Sequence, residues 1–213
     1  IRQAGAEPNT TYFFRIFDVT NNAPIPLADG ASYASLVTRG ATLVFTINGL
    51  DTGTTTAGII TDATTTATEV PFGLLEIGTS SEAAQRLSVT TNAAGGYHIY
   101  AYERQGLLNQ TAEIPEVTGT NAIPLDWATA CPGGQSGCYG YHTTDGSLSS
   151  GSTTRFAASD RYAAFTGTSS EIAYHDAPVL DDETDVIYRI LVRSDQPAGE
   201  YQSSVVYIVV PIH

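Results

Sequence analysis

Leu87-Ser88-Val89-Thr90-Thr91-Asn92-Ala93-Ala94-Gly95-Gly96-Tyr97-His98-Ile99-Tyr100-Ala101-Tyr102-Glu103 decides the fold class. Two runs rich in β-branched and aromatic residues flank a Gly-containing turn, the pattern of two antiparallel strands joined by a short loop. The same alternation recurs outward from this hairpin. In Thr42–Asn48, Leu43, Phe45 and Ile47 alternate with Thr42, Val44 and Thr46, the period of a half-buried strand. Strands are also expected at Tyr33–Thr38, Arg161–Thr166, Val186–Val192 and Tyr201–Val210, with turns at Asn48-Gly49 and Ser194–Gly199. Only Ser80–Gln85 has the composition of a short helix. Many short strands with turn signals between them predict an all-β chain, an antiparallel β-sandwich of jelly-roll or immunoglobulin-like type.

The N-terminal region reads differently. Residues 1–11 are small and polar, and Tyr12-Phe13-Phe14-Arg15-Ile16-Phe17-Asp18-Val19 follows as a strand apolar on both faces. Such a strand requires cover on both sides. The expected organisation is therefore an extended arm over 1–19 and one sandwich over 20–213, with a loop-rich insert at about 104–156. A free tail bearing Tyr12, Phe13, Phe14, Ile16, Phe17 and Val19 is an aggregation hazard. Inserted beside the sheet of a neighbour, it becomes a donor strand for polymerisation. The simpler possibility, that 12–19 is the first strand of the chain's own sandwich, stays open at this point.

Charged residues make up 15% of the chain, well under the usual quarter, so hydroxyls carry much of the polarity. The net charge is -13, and all nine basic residues are Arg. This balance repels phosphate and anionic bilayers, which argues against nucleic-acid partners and membrane insertion. Without Lys, the Lys–Asn isopeptide cross-links of some surface pilins are excluded. The chain starts at Ile1 and contains no Met, so removal of an export signal is expected. The apolar run Val205–Ile212 is too short to span a bilayer.

Cys131 and Cys138 enclose Pro132-Gly133-Gly134-Gln135-Ser136-Gly137, a flexible loop suited to a disulfide worth about 2–3 kcal/mol. A metal site with His142 is the alternative, but further ligands at standard spacing are missing. A disulfide implies an oxidising, extracellular location. Asn9-Thr10-Thr11 and Asn109-Gln110-Thr111 make Asn9 and Asn109 glycosylation candidates. Asp181, Asp182, Glu183 and Asp185 are weak candidates for Ca²⁺ in a solvated loop without EF-hand spacing. Tyr139, Tyr141, Tyr162 and Tyr174 lie where they could stack on sugars or pack a subunit interface.

No nucleophile elbow, zinc-protease motif, phosphate loop or dinucleotide fingerprint is present, so neither catalytic residues nor cofactors are expected.

Two stretches carry a resemblance. One runs Val70-Pro71-Phe72-Gly73-Leu74-Leu75-Glu76-Ile77-Gly78 and continues with Leu87–Tyr97; the other is Gln196-Pro197-Ala198-Gly199-Glu200-Tyr201-Gln202-Ser203-Ser204-Val205-Val206-Tyr207. They resemble secreted bacterial surface β-sandwiches: spore-coat and pilin-type proteins and biofilm-fibre subunits of the TasA kind. The resemblance implies a cell-surface structural protein of a pilus, fimbrium or biofilm filament, with copies of itself as partners and donor-strand complementation as the mode of assembly. The competing expectation is a monomeric adhesin or carbohydrate-binding module, with glycans as partners.

Overall fold

The computed structural model describes residues 11–14, 34–37, 40–110, 112–146, 148 and 155–213. The chain divides into two compact units, Ile1–Thr42 and Leu43–His213.

In the first unit, β1 (Thr11–Phe14) pairs antiparallel with β2 (Ala34–Val37), with Tyr12 opposite Leu36 and Phe13 opposite Ser35. These two strands form a sheet of their own. Residues 15–19, which carry the other half of the expected donor segment, lie outside the described residues.

The second unit contains β3 (Leu43–Gly49), β4 (Thr55–Thr56), β5 (Ile59–Ile60), β6 (Ser80–Thr91), β7 (Tyr97–Glu103), β8 (Leu107–Leu108), β9 (Glu113–Ile114) and β10 (Leu125–Asp126). After the single-turn helix α1 (Trp127–Ala130) come β11 (Gly137–Thr143), β12 (Arg161–Tyr162), β13 (Ser170–His175), β14 (Val179–Val192) and β15 (Val205–Pro211). The fold is almost entirely β. A four-stranded antiparallel sheet has the order β11-β14-β6-β3, and a three-stranded antiparallel sheet has the order β13-β7-β15. Both are open, and no closed barrel occurs among the described residues.

One hydrophobic cluster draws on both sheets. It contains Leu87 and Val89 of β6, Tyr97 and Ile99 of β7, Tyr141 of β11, Ile172 of β13 and Val186 of β14. Period two explains the selection. In β7, Tyr97, Ile99, Ala101 and Glu103 are buried, whereas His98, Tyr100 and Tyr102 point the other way and are half-buried. A second cluster joins Trp127, Ala130, Cys131, Cys138 and Tyr162 with Leu191 of β14. There Arg189 lies over Trp127 at 4.5 Å and over Tyr162 at 5.4 Å.

Three sequence expectations need correction. Ser80–Gln85 is strand, not helix: it forms the first half of β6 and pairs with β14 from Leu191 to Val186. Long-range pairing overrides the local preference of Ala, Glu and Gln. Ala83 and Ala84 are fully buried because residues 63–65 run alongside, bridging Ala63 to Ala83 and bonding Thr65 Oγ1 to the Ala84 carbonyl at 2.5 Å. The acidic run Asp181–Asp185 lies within β14, not in a loop before it. The region expected to be irregular contains β11, a strand buried at every position. Gly140 sits there because a Cβ would lie 2.5 Å from Val117 and 2.8 Å from the Ala163 carbonyl.

Candidate functional site

The four outer strands of the two main sheets are treated unequally. The outer edge of β11 is occupied: Tyr139 exchanges backbone bonds with Pro115 and Val117, and Tyr141 with Ala163. The outer edge of β13 is capped by side chains. Thr143 Oγ1 donates to the Ile172 carbonyl at 2.7 Å, Asn121 Nδ2 donates to the Glu171 carbonyl at 2.7 Å, and Asp145 Oδ2 accepts from the Tyr174 N–H at 2.7 Å.

The β3 and β15 edges are bare. Among the described residues, no backbone group of Leu43–Asn48 bonds beyond β6, and none of Val205–Val210 bonds beyond β7. Their core-directed side chains stop short of full burial. Leu43, Phe45 and Ile47 on β3, and Val205, Tyr207 and Val209 on β15, pack on the central cluster yet remain partly exposed. Their neighbours Leu87 and Ile99, one strand inward, are 0% exposed. Outward-facing Val44, Ile208 and Val210 add apolar surface at 56, 43 and 42% exposure. The main core therefore ends in two apolar, hydrogen-bond-hungry strands.

β15 is tied inward at two points. In its middle, the Tyr207 hydroxyl bonds the Tyr188 hydroxyl, which donates to Gln85 Oε1 at 2.9 Å. Burial pushes both phenols above the ordinary tyrosine range. At its entry, Ser203 Oγ donates to Glu103, and the Tyr139 hydroxyl donates to the other Glu103 oxygen at 2.6 Å.

Of the expected donor residues, Tyr12, Phe13 and Phe14 lie in β1, while Ile16, Phe17 and Val19 fall outside the described residues. Cys131 and Cys138 form a disulfide, with Cα atoms 5.8 Å apart. Arg193 braces this loop by donating to the Gln135 carbonyl at 2.8 Å and the Cys131 carbonyl at 3.2 Å. His142 is not near a free thiol; it is buried, with Nδ1 2.9 Å from the Arg161 carbonyl, and burial lowers its pKa.

The four acidic candidates on β14 are each engaged by protein side chains, with Asp185 and Glu183 sharing Arg86. Asp185 holds Arg86 Nε at 2.7 Å and Thr56 Oγ1 at 2.6 Å, and Glu183 meets Arg86 Nη1 at 3.0 Å. Asp182 accepts from the Tyr97 hydroxyl at 2.8 Å, and Asp181 from Thr90 at 3.0 Å. Among the described residues, no group of three or more His, Cys, Asp and Glu is arranged to hold a metal ion. Asn9 lies outside the described residues; Asn109 sits between β8 and β9, its Oδ1 accepting the Ala112 N–H at 2.7 Å.

Comparison with protein-family models, with curated proteins and with solved structures gave no match to this chain. The geometry therefore stands alone. Tyr139, Tyr141 and Tyr162 are at most 8% exposed, so they offer no platform for a sugar ring. Tyr174 is half-buried and packs on His98, with ring centroids 5.0 Å apart. His98 Nδ1 in turn lies 2.6 Å from the buried Glu171, which also faces Arg155 at 3.5 Å. Sequence reasoning passed over Glu171, Arg155 and Asn121, because nothing in their local spacing marks them as one network.

Proposed function

We propose that this chain is a structural subunit of an extracellular filament or surface layer, assembled by strand donation between copies and without catalytic activity. In this reading the two main sheets form a sandwich whose open seam runs between β3 and β15. The segment Tyr12–Val19 of one copy lies in the seam of the next.

The bare, incompletely covered edges of β3 and β15 are the observation that carries the proposal. A strand added there gains main-chain hydrogen bonds along the β3 or β15 edge. It also covers Leu43, Phe45, Ile47, Val205, Tyr207 and Val209, which the second unit leaves partly exposed. The donor suits the acceptor because its side chains are apolar on both faces. A head-to-tail contact of this kind does not close on itself, so it grows a filament. The Cys131–Cys138 disulfide is consistent with export. The burial of Tyr139, Tyr141 and Tyr162 weakens the competing adhesin reading, which relied on tyrosine-rich loops.

Negative-stain microscopy and size exclusion, comparing the full chain with one lacking residues 1–19, test the proposal. Filaments from the full chain and none from the truncation are expected. A full chain that stays monomeric over a wide concentration range would redirect attention to glycan binding.

A further inference from the structure

Two fixed turns and a buried arginine enclose a pocket that strand donation does not use. The first turn is closed by Thr120 and Ile123, which exchange backbone bonds at 3.1 and 3.0 Å. Asn121 within it is anchored, its Nδ2 donating to the Tyr141 hydroxyl at 2.8 Å and to the Glu171 carbonyl at 2.7 Å. The second turn brings the Arg161 N–H to the Ala158 carbonyl at 3.3 Å, where the chain enters β12. Between them lies a concave space of about 430 Å³, walled by Ile123, Pro124, Ala157 and Ala158 and bearing two charged side chains, Arg155 and Arg161. Sites for small ligands have this size.

Arg155 is 8% exposed and incompletely satisfied. Its Nη1 donates to Asn121 Oδ1 at 2.8 Å, and its Nη2 lies 3.5 Å from Glu171 Oε2. Glu171 makes its closer contact with His98, at 2.6 Å. The Arg155 Nε–H is buried without an acceptor. Buried donors of this kind are costly, and folded chains keep few of them. Arg161 supplies the second charge. Among the described residues its guanidinium has neither a hydrogen bond nor an ion pair. Asp126, opposite it on β10, feels its charge but is already engaged by Thr129 at the start of α1. Asp160, the preceding residue, accepts from the Trp127 N–H at 3.4 Å and faces Arg189 at 3.8 Å. In a chain with 22 acidic and nine basic residues, two arginines on one apolar recess run against the general charge.

We propose that this pocket binds a carboxylate on a short apolar body, with Arg155 and Arg161 holding the oxygens and the alanine, proline and isoleucine walls covering the hydrocarbon. A guanidinium presents its N–H groups in a planar fork that matches the two oxygens of a carboxylate. Phosphate fits less well. Glu171 already offsets one of the two positive charges, so a second negative charge on the ligand meets the net negative field of the chain. Walls without hydroxyls or amides favour a hydrocarbon body over a polar one. The carboxylate belongs to a free small acid or to an acidic side chain of a second copy, since both present the same group. The site is independent of strand donation, because none of its residues lies on β3, on β15 or in Tyr12–Val19.

Phenylglyoxal labelling of the full chain, read arginine by arginine by mass spectrometry, tests the site in monomer and assembly alike. Butyrate is the probe, butyramide its uncharged counterpart and inorganic phosphate the competing anion. Butyrate at millimolar concentration should slow the labelling of Arg161 in proportion to its concentration and leave the exposed Arg104 unchanged. Butyramide and phosphate should slow neither. Arg155→Lys keeps a charge beside Glu171 but loses the fork, and the butyrate needed for equal protection should rise about tenfold, the loss of one charged hydrogen bond. Labelling of Arg161 that butyrate does not slow, that butyramide or phosphate slows equally, or that Arg155→Lys leaves equally protected overturns the proposal. Should that variant fail to fold, the three probes on the unsubstituted chain decide. Where butyrate protects, dilution without added acid identifies the natural source. Arg161 that becomes reactive on dilution was held by a side chain of a second copy, and labelling independent of chain concentration assigns the site to a free small acid.

Discussion

Ile47 and Leu87 face each other across β3 and β6 in directly paired register, so both side chains enter the same layer of the core. Leu87 is 0% exposed; Ile47 is only partly covered, because β3 is the bare edge. Truncating a fully buried leucine to alanine costs about 3 kcal/mol or more, the sum of lost transfer energy and a cavity. Ile47 has less cover to lose and a solvent-open side where water can enter, so about half that, ~1.5 kcal/mol, is expected for Ile47→Ala. Urea unfolding of each variant as a monomer, followed by tryptophan fluorescence, gives both numbers. If assembly proceeds by the proposed strand donation, the donor covers Ile47, and the substitution should raise the concentration needed for polymerisation by about tenfold for each 1.4 kcal/mol lost at the contact. Equal losses from Ile47→Ala and Leu87→Ala in the monomer would show that β3 is already fully covered. The β3 edge would then leave no apolar surface for an added strand to cover.

Breaking the disulfide by Cys131→Ser with Cys138→Ser should lower stability by about 2–3 kcal/mol, measured by calorimetry, because the short loop regains its freedom in the unfolded chain. Arg189→Ala removes the guanidinium over Trp127 and Tyr162 and strips Glu82 of a 2.8 Å partner; a loss of about 2 kcal/mol and a shifted Trp127 emission are expected. Glu82, half-buried beside Asp62, has its pKa raised to about 7 by burial first. Its contribution therefore declines as pH rises from about 5 through 7, and Glu82→Gln should flatten the stability profile in that window. Gly96→Ala should cost at least ~2 kcal/mol in denaturant titrations, since φ is +74° and a Cβ would fall 2.0 Å from the His175 carbonyl.

The strands legible in the sequence are those with one buried face. Tyr97–Glu103 forms at the expected bounds because buried Tyr97, Ile99 and Ala101 alternate with half-buried His98 and Tyr100. β3 follows the same rule. β11 does not, because neighbours bury it on both faces and two of its residues are glycines chosen for close approach, a composition that locally resembles a loop. The start of β14 is hidden for another reason. Its carboxylates find partners in Arg86, Tyr97 and Thr90, which only the folded sheets bring near. The same limit governs the candidate site. Alternation set Leu43, Phe45 and Ile47 on one face of a half-buried strand, but which edges stay bare depends on strand order, and strand order is set by long-range pairing.

A helical reconstruction of the assembled full chain tests the central claim most directly. The account predicts residues 12–19 of one copy lying along β3 and β15 of the next, covering Phe45, Ile47, Tyr207 and Val209. Filaments in which both edges remain bare, or a chain that stays monomeric at every concentration, would contradict it.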